Sequence, residues 1–374
     1  MIPIAKPQIS NEEIQAVPDV LKSGMLAQGK IVEKLEQEFA SYIGVKYAIA
    51  TNSGTSALHT ALAAVGITKG DEIITTDFSF VASATCALMQ NAKPVFCDID
   101  PTTYTFSPED IEKKISKKTK AILPVHLYGQ SCDMDAITDI ARDNDVWIVE
   151  DACQAHGAEY RGKKVGAIGD VGVFSFYPTK NMTTGEGGIV TTNDEKIAER
   201  ARMFRSHGQS KQYVHEYLGF NYRMTNIAAA IGLAQLGHLD ERNKRRQENA
   251  TFLVEKLHNV AGIICPSVNP NGVHVFHQFT IRIEEEFPLS RDELCNHLKE
   301  KGVGFGIHYS MPIHKQPLFK KLGYTDDTVD CPIAAEMSKR VLSLPVHPQL
   351  TADDLRFIVQ TIHNVVREEQ WMSA

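Results

Sequence analysis

Between Tyr47 and Glu150 short apolar runs alternate with helical stretches, and nothing else in the chain constrains its fold so strongly. Tyr47-Ala-Ile-Ala50 reads as a buried strand. Ser53-Gly-Thr-Ser56 then opens a helix through Ala57–Val65, which Gly66 ends. Asp71-Glu-Ile-Ile-Thr75 is a second strand, Val81–Gln90 a helix, and Pro94-Val-Phe-Cys97 a third strand. Ala121-Ile-Leu-Pro-Val-His-Leu127 and Val146-Trp-Ile-Val-Glu150 follow, separated by the helical Asp135–Arg142. Short apolar strands alternating with helices predict an α/β fold with a mostly parallel sheet covered by helices on both faces. Ligands in such sheets bind beyond the carboxyl ends of the strands. Thr51–Thr55, Asp151–Gln154 and Ser175–Lys180 all fall just past such ends.

From about Asn249 the character changes. Phe276-His-Gln-Phe-Thr-Ile-Arg-Ile283 alternates like an antiparallel strand, Arg291–Lys301 reads as a helix ended by Gly302, and Ala352 to Arg367 as a C-terminal helix. At 374 residues the chain is too long for one small core. The expectation is a ligand-binding large domain over 1–248, including an N-terminal arm, and a smaller C-terminal α+β domain over 249–374. Ala229–Glu248 reads as one long helix whose charged run Asp240-Glu-Arg-Asn-Lys-Arg-Arg246 is solvated.

Composition excludes other classes. A net charge of -7 with no basic tract speaks against a nucleic-acid surface. No apolar run approaches a membrane span, and Met1-Ile-Pro-Ile-Ala-Lys6 lacks the pattern of a signal peptide. The seven cysteines are scattered without a Cys-x-x-Cys pair, which points away from a zinc ribbon and towards a reducing cytoplasm.

The chemistry concentrates in two runs: Val149-Glu-Asp-Ala-Cys-Gln-Ala-His-Gly157 and Val173-Phe-Ser-Phe-Tyr-Pro-Thr-Lys-Asn-Met-Thr-Thr-Gly-Glu-Gly-Gly188. A strand ends on Asp151, Gln154 follows, and a Ser-Phe-Tyr strand end leads to the lone lysine of a polar, Gly-rich loop. This is the equipment for holding pyridoxal 5'-phosphate (PLP). A carboxylate partners the pyridine nitrogen, a hydroxyl takes the phosphate, and a lysine closes a Schiff base on the aldehyde. Each residue has a plainer alternative. Asp151 also suits a helix N-cap, and Lys180 a solvated surface charge. Ser53-Gly-Thr-Ser56 at a helix start suits an anion or an ordinary cap. Phe78 and Phe80 suit a cofactor ring or the core. His156 reads as a satisfied structural histidine. His308 and His314 fit no standard zinc spacing, so no metal is expected.

The resemblance that these runs carry is nearly end to end. Asn52-Ser-Gly-Thr-Ser-Ala-Leu58, Pro124-Val-His-Leu-Tyr-Gly-Gln130, Glu150–Gly157, Phe174–Lys180, Gly185-Glu-Gly-Gly188 and Gly219-Phe-Asn-Tyr-Arg-Met224 occur in one order. The chain resembles the PLP-dependent sugar aminotransferases of the DegT/DnrJ/EryC1/StrS family, within the fold type I aminotransferases. The resemblance implies that Gly54, Thr55 and Ser175 hold the cofactor phosphate and that Phe80 stacks on its ring. Asp151 would meet the ring nitrogen, Gln154 the phenolic oxygen, and Lys180 would carry the Schiff base. Asn221 would reach the phosphate of a partner subunit in a homodimer with shared active sites. Arg223, His308 and Tyr309 would lie near a nucleotide-sugar substrate, with L-glutamate as amino donor. Gly24-Met-Leu-Ala-Gln-Gly29 is nearer in form to members that aminate C4 than to those that aminate C3. Two alternatives stand beside this reading. One is a PLP-dependent sugar dehydratase, a branch that carries histidine where this chain has Lys180. The other is a non-catalytic regulatory protein that keeps the fold.

Overall fold

The computed structural model describes residues 1–372. Seven strands form the central sheet: β1 (Tyr47–Thr51), β2 (Glu72–Thr76), β3 (Lys93–Cys97), β4 (Thr119–Leu123), β5 (Trp147–Asp151), β6 (Val171–Ser175) and β7 (Gly188–Thr192). Their spatial order is β1-β7-β6-β5-β4-β2-β3. β7 pairs antiparallel with both neighbours, and every other pairing is parallel. The mostly parallel α/β sheet expected from the apolar runs is therefore present. β5 and β6 lie side by side at its centre, so the ends that carry Asp151 and Ser175 are neighbours.

Two expected elements differ from those observed. The strand expected to run to Leu127 stops at Leu123. Pro124 follows, and a proline offers no N–H to continue the ladder. The helix expected over Ala229–Glu248 is two helices, Asn226–Gly237 and Leu239–Leu257, separated at His238 (φ -108°, ψ 2°). Gly237 weakens the turn before that break.

The charged run of the second helix is also not simply solvated. Leu239, Arg242, Asn243, Arg246, Asn249, Ala250 and Leu253 are buried, at the three- and four-residue spacing of one helix face. Arginine stems bury well, and here the guanidinium groups of Arg242 and Arg246 go in with them.

A second core lies around a three-stranded antiparallel sheet of β8 (Ile263–Ile264), β9 (Phe279–Ile283) and β10 (Val341–Leu344), in that order. It gathers Leu253, Leu257, Phe279, Leu298, Leu342 and Ile358. The N-terminal Ile2 joins it: Ile2 N–H donates to Gly302 O at 2.8 Å, and Gly304 N–H donates to Ile2 O at 2.7 Å. Ile313, Phe319, Ala334 and Met337 return to the first core, beside Ile73 and Phe96. We propose a two-domain division whose seam lies within the helix Leu239–Leu257. Asn243 donates to His156 O on one side of it, and Asn249 to His347 O on the other.

Candidate active site

β5 delivers Asp151 into a buried position, 4% exposed. One carboxylate oxygen accepts from Ser83 Oγ at 2.8 Å, and the other from the Cys153 backbone N–H at 3.2 Å. Ser83 Oγ lies 3.0 Å from Ser79 Oγ, four residues earlier in the chain. Among the described residues no cationic side chain forms an ion pair with Asp151. A buried carboxylate without a cation is costly, so the position asks for positive charge from elsewhere. A protonated pyridine nitrogen would supply it.

The helix Gly54–Ala64 begins just past β1. Ser53 caps it in a reciprocal pair with Ser56, which uses the Ser56 and Ser53 N–H groups. The N–H groups of Gly54 and Thr55 find no acceptor among the described residues, which suits an anion at this helix end. A Cβ on Gly54 would lie 2.6 Å from Ser175 Cβ and 3.0 Å from Ser175 Oγ. Gly54 and Ser175 thus meet at a cradle that only glycine leaves open. Donor set, cradle and carboxylate together fit the phosphate and ring of PLP.

Lys180 sits in the loop between β6 and β7, with its N–H donating to Tyr177 O at 2.9 Å. Its ammonium has no ion-pair partner among the described residues. Burial pulls its pKa below the ordinary lysine value, against opposing pulls from the charges of Cys153 and Asp151. Gln154 is buried and fixed at both ends. Its Oε1 accepts from the Tyr128 N–H at 3.0 Å, and its Nε2 donates to Tyr309 Oη at 3.1 Å. Tyr309 also packs edge-on against Phe78, with centroids 6.3 Å apart. His308 Nδ1 lies 3.0 Å from Ser343 Oγ; burial, then the charge of Lys180, push this imidazole down to about 4.

The remaining expected residues lie at the margin. Phe78 is fully buried while Phe80 is 55% exposed, so of the two Phe80 is the ring free to meet a ligand. Asn221 is exposed, and its carbonyl accepts from Asn52 Nδ2 at 3.4 Å. Arg223 is half-buried and bridges to Thr51. Neither Asn221 nor Phe80 is drawn inward within one chain. His156 departs from its reading as a hydrogen-bonded histidine. It is fully buried, both ring nitrogens lack a partner, and it packs near Phe174 and Phe176 at 5.4 and 5.9 Å. Burial, then the charge of Lys180, hold it down to about 3, so it is a neutral ring. His314 bonds Asp77, and Asp326 at 2.8 Å, so its two nitrogens are engaged.

Proteins of similar sequence and structure share this geometry's fold and chemistry. The family model described as the DegT/DnrJ/EryC1/StrS aminotransferase family matches residues 7–363. The chain belongs to that family. It is a PLP-dependent aminotransferase, and pyridoxal 5'-phosphate is its cofactor. It is 39% identical to a GDP-perosamine synthase of Caulobacter vibrioides, over 98% of this chain and 98% of that protein. It is also 39% identical to a dTDP-3-amino-3,4,6-trideoxy-alpha-D-glucose transaminase of Streptomyces venezuelae, over 93% and 92%. A crystal structure of S. venezuelae DesV in complex with a ketimine intermediate superposes with a TM-score of 0.90 at 38% identity, covering 95% of this chain and 94% of that one.

Two residues that hold candidate site side chains were not found by reading the sequence. Ser83 lies in the mostly apolar run Ala82–Met89, where a small hydroxyl attracts no notice; its spacing of four from Ser79 was the available signal. Tyr128 supports Gln154 through its backbone, which no side-chain pattern announces. Among the described residues no helix is long and apolar enough to cross a membrane, and no cluster of three or more His, Cys, Asp or Glu is placed to hold a metal.

Proposed function

We propose that this enzyme transfers the amino group of L-glutamate to a nucleotide-linked 4-keto sugar, giving an amino sugar nucleotide for surface polysaccharide or glycan synthesis in the cytoplasm. The observation that carries the reading is a desolvated lysine, Lys180, within electrostatic reach of a buried carboxylate, Asp151, that forms no ion pair among the described residues. The names of the relatives support a nucleotide sugar as substrate. The 4-keto preference rests on the form of Gly24–Gly29, whose Met25 carbonyl is held by Asn226 Nδ2 at 2.8 Å.

The bound cofactor supplies an electron sink for the pair left when a Cα–H bond breaks. The chain supplies the rest. Lys180 Nζ, neutral more readily than an ordinary lysine, would take the proton from the glutamate Cα and pass it to the cofactor's aldehyde carbon, and would move a proton from that carbon to the sugar in the second half of the reaction. Asp151, held by Ser83, keeps positive charge at the ring nitrogen. Gly54, Thr55 and Ser175 bind the phosphate, Gln154 the phenolic oxygen, and Phe80 covers the ring face. His308, Tyr309 and Arg223 line the substrate side, and Asn221 serves the phosphate of a partner subunit in a homodimer.

The test is a panel of GDP- and dTDP-linked 3-keto and 4-keto sugars incubated with L-glutamate and read by mass spectrometry. An amine on C4, with 2-oxoglutarate formed in equal amount, is expected. Amination of 3-keto sugars alone overturns the positional reading, and loss of water without gain of nitrogen makes the enzyme a dehydratase.

A further inference from the structure

Tyr128 is buried, 4% exposed, and sits at φ 59°, ψ 3°. That left-handed region is costly for a residue with a β-carbon, so the surroundings must hold it there. They do so at each of its polar groups. Its N–H donates to Gln154 Oε1 at 3.0 Å, and its carbonyl accepts from the Gln278 N–H at 3.2 Å. Its hydroxyl donates to the His308 carbonyl, and its ring lies edge-on to Tyr104 with centroids 6.1 Å apart. Burial, then the neighbouring Tyr104 and Tyr309, raise the phenol well above its ordinary value against the opposing contact of Thr280. The hydroxyl therefore keeps its proton and acts as a donor.

These contacts close a ring through three segments of the chain. A backbone N–H can only donate, so it turns the Gln154 oxygen towards Tyr128. The Gln154 nitrogen is thereby turned towards Tyr309, whose hydroxyl accepts from it at 3.1 Å. Tyr309 takes one of the two Nε2 hydrogens, and the second is left for the phenolic oxygen of the cofactor. An amide turned the other way would set oxygen against oxygen. Tyr309 is placed in turn by its own preceding peptide, whose carbonyl Tyr128 holds.

We propose that Tyr128 is a positioning residue that couples the two sides of the site: its N–H sets which end of the Gln154 amide meets the cofactor, and its hydroxyl fixes Tyr309 on the substrate side. The proposal rests on the reading in which Gln154 serves the phenolic oxygen and Tyr309 lines the keto-sugar side. It deepens that reading by joining the two through one residue.

The test is the pH titration of the cofactor absorbance in the resting PLP-loaded enzyme, with KM for the keto sugar measured beside it. In Tyr128→Phe the backbone N–H stays and the hydroxyl goes, which releases Tyr309 and loosens the hold on Gln154. A phenolic oxygen that loses its donor binds a shared proton more tightly, so the midpoint should rise by about half a pH unit or more. The KM for the sugar should rise about fivefold. A tyrosine that merely fills space lowers the melting temperature and leaves the midpoint alone. Tyr309→Phe removes the acceptor of Gln154 Nε2 and should raise the midpoint by itself. Tyr128→Phe should then add little to it, because residues of one hydrogen-bonded network are not additive. An unmoved midpoint or an unmoved sugar KM in a folded Tyr128→Phe overturns the proposal, as do shifts that add independently in the double variant. If Tyr128→Phe does not fold, Tyr309→Phe decides: a raised midpoint supports the coupling and an unmoved one overturns it. Coupled shifts in an enzyme that aminates no keto sugar uphold the positioning role and remove the functional reading instead.

Discussion

At the scale of single residues, the arrangement around Asp151 makes the sharpest claims. Its carboxylate has a hydroxyl and one backbone N–H as partners, so its charge is available to a ring nitrogen. Asp151→Asn keeps the shape and removes the charge. It should lower kcat about a hundredfold or more, since each factor of ten is about 1.4 kcal/mol of lost stabilisation, while PLP stays bound. Near wild-type turnover contradicts the role. Ser83→Ala removes the donor that orients this carboxylate. A fall in kcat of about tenfold is expected, because hydrogen bonds to charged groups contribute about 1.5–3 kcal/mol. It should come with a shifted pH titration of the cofactor absorbance, which a merely structural serine would not produce. Borohydride treatment should fix the cofactor on Lys180, and a label on Lys163 or Lys164 ends that assignment. The sequence makes Asp151, Gln154, Ser175 and Lys180 visible because all four sit at or just past apolar strand ends. Ser83 stays hidden because its role depends on a contact 68 residues away in the chain.

At the scale of elements, the N-terminal helix Asn11–Ser23 docks through one carboxylate. Glu13 closes the capping box with Ser10, accepts from Gln235 Nε2 and pairs with Arg242. Burial alone would raise its pKa; the hydrogen bonds from the Ser10 side chain, its own and the Ser10 backbone N–H, and Gln235 outweigh that and hold it down to about 2. A carboxyl whose folded pKa lies below its unfolded one stabilises above the unfolded value, near 4.5, and that contribution fades as pH falls towards 2. Glu13→Gln should therefore cost about 2 kcal/mol at pH 7, and less at pH 3, where the wild type has already lost part of the contribution. Thermal melts of both proteins at the two pH values check this; an equal difference at both contradicts it. Local pattern made the parallel strands legible, since apolar runs bounded by turns need no distant information. It did not reveal the break at His238, because the helical spacing of apolar residues resumes after a single residue. Nor did it reveal that Arg242 and Arg246 face inward, because a charged run looks solvated until its partner surface is known.

At the scale of the whole molecule, residues distant in sequence close the structure: Ile2 against Val303, and Ile313 against the core beneath β2. Sequence periodicity is silent about such pairings. It is equally silent about assembly, where the surface takes over. Tyr213 is 83% exposed, Leu218 78% and Met25 66%, and under the proposed homodimer these side chains are candidates for burial. Asn221 stands exposed three residues beyond Leu218 in the same segment, which is where a residue serving a neighbour's phosphate must stand. If each site takes Lys180 from one chain and Asn221 from the other, Lys180→Ala and Asn221→Ala chains, each impaired alone, should complement when mixed. One site of the mixed dimer then holds an intact lysine and an intact asparagine, while its other site has neither. With free exchange, half of the dimers are mixed and half of their sites are whole, so activity should recover to about a quarter of wild type, above the residual activity of Asn221→Ala itself. An asparagine acting within its own chain gives no such gain. A mixture no more active than the average of its parents, under conditions where native mass spectrometry shows subunits exchanging, removes the shared site.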